Sequence, residues 1–74
     1  MKKNDHWDLD GHLLRLFLTV LEEGSITAAG ARLGLTQSAV SQNIQRLREI
    51  TRDPLFVRAG RGIIPTDHAK ALAE

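Results

Sequence analysis

Residues Thr36 to Glu49, TQSAVSQNIQRLRE, restrict what the chain can fold into more than any other stretch. Val40, Ile44 and Leu47 stand four and three residues apart. On a helix they fall on one side, and that side must pack against a core. The opposite side carries Gln37, Ser38, Ser41, Gln42 and Gln45, amides and hydroxyls that offer both donors and acceptors, with charge arriving only at Arg46 and Arg48. A helix made for plain solvent more commonly mixes Glu and Lys at i,i+4 spacing. A face of glutamine and serine suits base edges, although by itself it fits a solvated surface equally well.

The preceding residues place this helix in a motif. Ser25-Ile26-Thr27 opens a short segment of small residues, Ala28, Ala29, Gly30 and Ala31, with Ser25 or Thr27 available as N-cap. Gly34 suits a left-handed C-cap, and Thr36 caps the next helix after a brief turn. Two helices joined by three to four residues including a glycine form a helix-turn-helix, whose second helix is free to enter a major groove.

Upstream, residues 1–8 are polar and charged apart from Met1 and Trp7 and are expected to form a loose arm, with Trp7 docking on the domain or on a second copy. From Leu9, the stripe Leu13, Leu16, Phe17, Val20 and Leu21 predicts a first helix ending at Gly24. Leu14 and Leu18 lie off that stripe and call for a second packing partner, either a dimer contact or the C-terminal segment. Downstream, the third helix must stop before Pro54. Leu55-Phe56-Val57 reads as a strand, Ala59-Gly60-Arg61-Gly62 as a turn and Ile63-Ile64 as the returning strand, with Pro65 at the end of an edge. Phe56 and one isoleucine should pin this hairpin to the helices, since isolated hairpins are marginal. Thr66 is a further N-cap, with Asp67 favourable in the first turn of a last helix that has no stop signal. The chain is therefore expected to be a fragment of a longer protein.

Seventy-four residues make one small domain, and the absence of cysteine excludes disulfides and thiolate metal sites. Nothing in the chain resembles a signal peptide or a membrane span, so the cytosol is the expected compartment. The net charge of +1 is small but unevenly distributed. Residues 1–24 carry three basic against five acidic groups, whereas residues 25–66 carry Arg32, Arg46, Arg48, Arg52, Arg58 and Arg61 against only Glu49 and Asp53. Arginine suits phosphate and guanine edges, so an anionic partner would meet the middle of the chain. An enzyme is not expected. His6, His12 and His68 lack metal-ligand spacing, Ser25, Ser38 and Ser41 have no nearby histidine, and so small a chain leaves little room for a substrate cleft.

LLRLFLTVLEEGSIT, AAGARLGLTQSAVSQNIQRLRE and PLFVRAGRGIIPT, in that order from about Leu9 to about Ala69, resemble the N-terminal DNA-binding domain of the LysR-type bacterial transcriptional regulators. The resemblance implies a mainly α winged helix-turn-helix: three helices plus a two-stranded β wing over residues 9–65, then the start of a linker helix over residues 66–74. It implies a long linker helix that pairs two protomers; with the last helix unfinished and the first apolar on two faces, a homodimer through the first and last helices is expected, on a pseudo-palindromic double-stranded DNA operator. It also implies a small effector bound by a C-terminal domain absent from this sequence, so that no cofactor belongs to these residues. Gln37, Ser38, Ser41 and Gln42 match the family's base-reading positions, and glutamine can bind adenine bidentately. Gln45 continues that face. Ser25, Thr27 and Thr36 sit at helix starts, where phosphate contact and capping meet. Arg32 adds to the basic section, while Arg58 and Arg61 flank the wing turn, where backbone or minor-groove contact is expected.

The chain departs from the family pattern in three places. Gln42 stands where a basic residue is common, Ile50-Thr51-Arg52-Asp53 replaces the usual leucine-glycine ending of the third helix and should make it less crisp, and Ala69 replaces a frequent glycine. The alternative function is a winged-helix module whose glutamine-rich face docks on a protein. The arginine-rich middle section argues against it, and steep salt dependence would separate the two.

Overall fold

The apolar stripe of the first helix becomes one wall of the core. The computed structural model describes residues 11–60 and 62–74. The expected arm, the docking of Trp7, the helix start at Leu9 and the placement of Arg61 lie outside the described residues. The elements are α1 (Gly11–Glu23), α2 (Ile26–Leu33), α3 (Gln37–Thr51), β1 (Phe56–Ala59), β2 (Gly62–Pro65) and α4 (Asp67–Ala73). Leu13, Leu16, Phe17 and Val20 of α1 meet Ala29 of α2, Val40, Ile44 and Leu47 of α3, Leu55 and Phe56 at the wing, and Ala69 of α4 in one cluster. Thr19 is buried too, and its hydroxyl donates to the Arg15 carbonyl at 2.8 Å, which satisfies it.

α2, α3 and α4 start at residues the sequence marks as caps. Ser25, with extended backbone, accepts from the Ala28 N–H at 3.1 Å, so the cap of α2 is Ser25 and not Thr27. Thr36 accepts from Ala39 and Thr66 from Ala69, each at 3.0 Å. Gly34 ends α2 in the left-handed region. Gly30 allows the turn to close over α2: a Cβ there would lie 2.8 Å from the Leu35 carbonyl oxygen, which neither a backbone atom nor a packed helix can yield cheaply.

The end of α3 differs from expectation. It stops cleanly, with Arg52 in the left-handed region at φ 58° donating its N–H to the Arg48 carbonyl at 2.7 Å. A side chain at that φ costs about 1 kcal/mol that glycine avoids. Arg52→Gly is therefore expected to raise stability by roughly 0.5–1 kcal/mol in urea unfolding. An unchanged or lower midpoint would show that the arginine side chain offsets the strain.

β1 and β2 pair antiparallel, Phe56 opposite Pro65 through Ala59 opposite Gly62. Leu55, expected in the strand, is instead left-handed at φ 67° and fully buried. It turns the chain into the wing while filling the core. Phe56 stacks on Phe17 with ring centroids 5.8 Å apart and tilted 51°, and Ile63 packs against the core while Ile64 stays exposed, so Phe56 and one isoleucine do pin the hairpin. The second strand also docks on the turn after α1, where Ile63 donates to the Gly24 carbonyl at 3.2 Å. A Cβ on Gly62 would sit 2.7 Å from that carbonyl oxygen.

Leu14 and Leu18 remain 42% and 36% exposed. Burial under the C-terminal segment is thus corrected: α4 places Ala69 and Leu72 on the core and leaves these two leucines open.

Candidate nucleic-acid interface

With Val40, Ile44 and Leu47 turned inward, helical geometry sends Ser38, Ser41, Gln42 and Gln45 outward along α3, with Gln37 exposed in its first turn. Among the described residues, none of these five side chains is engaged in an internal hydrogen bond. By contrast, Asn43, on the flank of the same helix, is half-buried and donates to the Ala39 carbonyl at 2.9 Å. The exposed face therefore presents uncommitted donors and acceptors on a rigid element.

The helix starts flank this face. Ser25 and Thr36 use an oxygen lone pair for capping, which leaves each hydroxyl proton free to donate outward. Thr27 is exposed in the first turn of α2. Arg58 projects from β1 into solvent, and Arg46 and Arg52 are exposed as well; none of the three is ion-paired among the described residues.

Two arginines of the basic section are committed internally. Arg32 bridges Glu22 at 2.7 Å and Glu23 at 3.1 Å, joining α2 to the end of α1, and these carboxylates raise its pKa, mainly through the Glu22 hydrogen bond. Its charge is thereby spent against the acidic pair. Arg48 donates through Nε to the Pro54 carbonyl at 2.8 Å and through Nη2 to the Phe56 carbonyl at 3.4 Å.

Asp53 was not singled out in the sequence, although an aspartate two residues ahead of a turn is the Asx-turn signature. Its Oδ2 accepts from the Thr66 hydroxyl at 2.7 Å and from the Leu55 N–H at 2.8 Å, tying the start of α4 to the entry of the wing. The Thr66 hydroxyl is the main cause holding this carboxyl below the usual value, with the Leu55 N–H and the His68 charge adding to it against partial desolvation. A depressed folded pKa stabilises the fold above the unfolded value of about 3.9, and that contribution disappears as pH falls through the folded value. Asp53→Asn should therefore show a shallower acid loss of stability than the parent between about pH 5 and pH 2, followed by circular dichroism. Superimposable acid limbs would remove Asp53 from this role.

A groove of about 400 Å³ lies between α1 and α3, roomier than so small a chain was expected to offer. Its described lining includes His12, Arg15 and Arg46 but no carboxylate, hydroxyl or thiol. The described residues hold no cluster of His, Cys, Asp and Glu fit for a metal ion, and no helix among them is long and apolar enough to cross a membrane.

Three helices, a glycine-containing turn and a pinned hairpin define a winged helix-turn-helix protein. The family of bacterial regulatory helix-turn-helix proteins named for LysR matches residues 12–70, and the chain belongs to that family. It is 46% identical over 67 residues to the HTH-type transcriptional activator NagR of a Ralstonia species, covering 90% of this chain and 22% of that protein. The probable transcriptional regulator PA0477 of Pseudomonas aeruginosa superposes with a TM-score of 0.82 at 34% identity, covering 86% of this chain and 22% of that one. A BenM DBD in complex with catB site 1 DNA superposes with a TM-score of 0.79 at 32% identity, covering 85% and 70%. The chain thus spans less than a quarter of the length of NagR.

Proposed function

We propose that this domain binds double-stranded DNA sequence-specifically, as the reading unit of a bacterial transcriptional regulator. The observation that carries the reading is the uncommitted polar face of α3, opposite its buried stripe and next to unpaired arginines. In this reading α3 enters the major groove, Gln37, Ser38, Ser41, Gln42 and Gln45 meet base edges, and Ser25, Thr27 and Thr36 donate to phosphate. Arg58 and Arg61 on the wing meet flanking backbone or a narrow minor groove. Arg32, whose Nη1 is held by Glu22 and Glu23, meets phosphate through its remaining N–H groups. The solved complex of the BenM DBD with DNA supports this placement by analogy. Selection from a random duplex pool tests it: enrichment of one motif is expected, and recovery of unenriched sequence would contradict it.

The domain acts as a homodimer through α1 and α4 on a pseudo-palindromic site, in the cytoplasm, with any effector bound by a further domain of the full regulator. Exposed Leu14 and Leu18 on α1 support that contact. Sedimentation should show concentration-dependent association that Leu14→Glu weakens. A strict monomer with full affinity for a single half-site would contradict it. No observation favours the protein-docking alternative.

A further inference from the structure

The link between α3 and the wing is the most constrained backbone among the described residues. Arg52 and Leu55 are the only non-glycine residues there with positive φ, at 58° and 67°. The Phe56 N–H donates to the Pro54 carbonyl at 2.7 Å, which makes Leu55 the centre of the rare and strained hand of the γ-turn. Such a conformation persists only where its surroundings over-determine it. Here the surroundings are specific: Leu55 is fully buried, Asp53 accepts from its N–H, Thr66 donates its N–H to the Leu55 carbonyl at 2.9 Å, and Arg48 grips both sides of the turn.

Arg48 is the one member of this set that belongs to α3. Its guanidinium takes the Pro54 and Phe56 carbonyls from one planar fork, and so spans from the recognition helix to the first residue of β1. We propose that Arg48 is a positioning residue for DNA recognition, which sets the angle of the wing to α3 by holding the Leu55 turn and does not itself contact DNA. The inference rests on the proposed wing contact with DNA. Arg48 leans toward the wing, with Nε and Nη2 each engaged on a backbone carbonyl, unlike the free side chains of Ser38, Ser41 and Gln42. With the fork removed, the turn loses its tie to α3, and the hairpin carrying Arg58 can pivot while α3 keeps its buried seat.

The test uses hydroxyl-radical footprinting and affinity across a salt series on a selected duplex, for the parent, Arg48→Met, Arg58→Ala and the double variant, after thermal melts confirm folding. Arg48→Met is expected to lose protection of the flanks and keep protection under α3. In the Arg58→Ala background it should change affinity by less than about twofold, with no further loss of salt slope, because both changes remove the same wing contact. Independent, multiplying effects with an extra unit lost from the salt slope would mean that Arg48 itself meets phosphate and would overturn the proposal. An unchanged footprint for Arg48→Met would overturn it as well. If the parent shows no flank protection and Arg58→Ala matches it, the wing contact itself is absent, and the positioning role falls with it. Should Arg48→Met not fold, Arg48→Lys, which keeps the stem but not the planar fork, enters the same cycle with the same criteria.

Discussion

Replacing Phe17 with alanine is expected to cost about 3–5 kcal/mol, most of the stability of a domain this size. The ring is 1% exposed and joins α1 to the wing through Phe56, so its removal leaves a cavity between the two. Leu14→Ala, on the open face of the same helix, should cost well under about 1 kcal/mol. Urea unfolding of both variants separates the two faces. Comparable losses would mean that α1 buries a different side from the one described, and the orientation of α3 behind it would be in doubt.

Gln37→Ala is expected to cost about 1–3 kcal/mol at the preferred duplex, roughly five- to 150-fold in affinity, and to relax the choice of one base pair. The side chain makes no internal bond, so folding should be unaffected and the loss should belong to binding alone. Affinity for single-base variants of the site, with parent and variant, measures this. Non-specific binding and the salt slope should barely move, because an amide adds no counterion release. If every sequence weakens equally, Gln37 is not a reader, and the reading face shifts toward Ser41 and Gln42.

The parts of this molecule set by local rules were legible in its sequence. Val40, Ile44 and Leu47 announced the buried side of α3 by spacing alone, and thereby its exposed side. The caps at Thr36 and Thr66, the left-handed Gly34 and the hairpin around Gly60 follow from side-chain chemistry within three or four residues. What escaped depends on residues distant in sequence. Leu55 fits a strand by composition, but the need to fill the core while entering the wing forces it into a left-handed turn. Arg32 and Arg48 look like their unpaired neighbours in a charge count, yet one answers to Glu22 and Glu23 and the other to two backbone carbonyls. The Asp53–Thr66 contact joins residues thirteen apart through a single carboxylate oxygen, beyond the reach of any local pattern.

Specific DNA binding through α3 is tested most directly by measuring affinity for the selected duplex and for a scrambled duplex of equal length, from low to moderate salt. Both should weaken linearly in log–log form as salt rises, the counterion signature of phosphate contact, while the selected duplex stays tighter by on the order of a thousandfold. Equal affinity for the two duplexes, or binding indifferent to salt, would contradict the account.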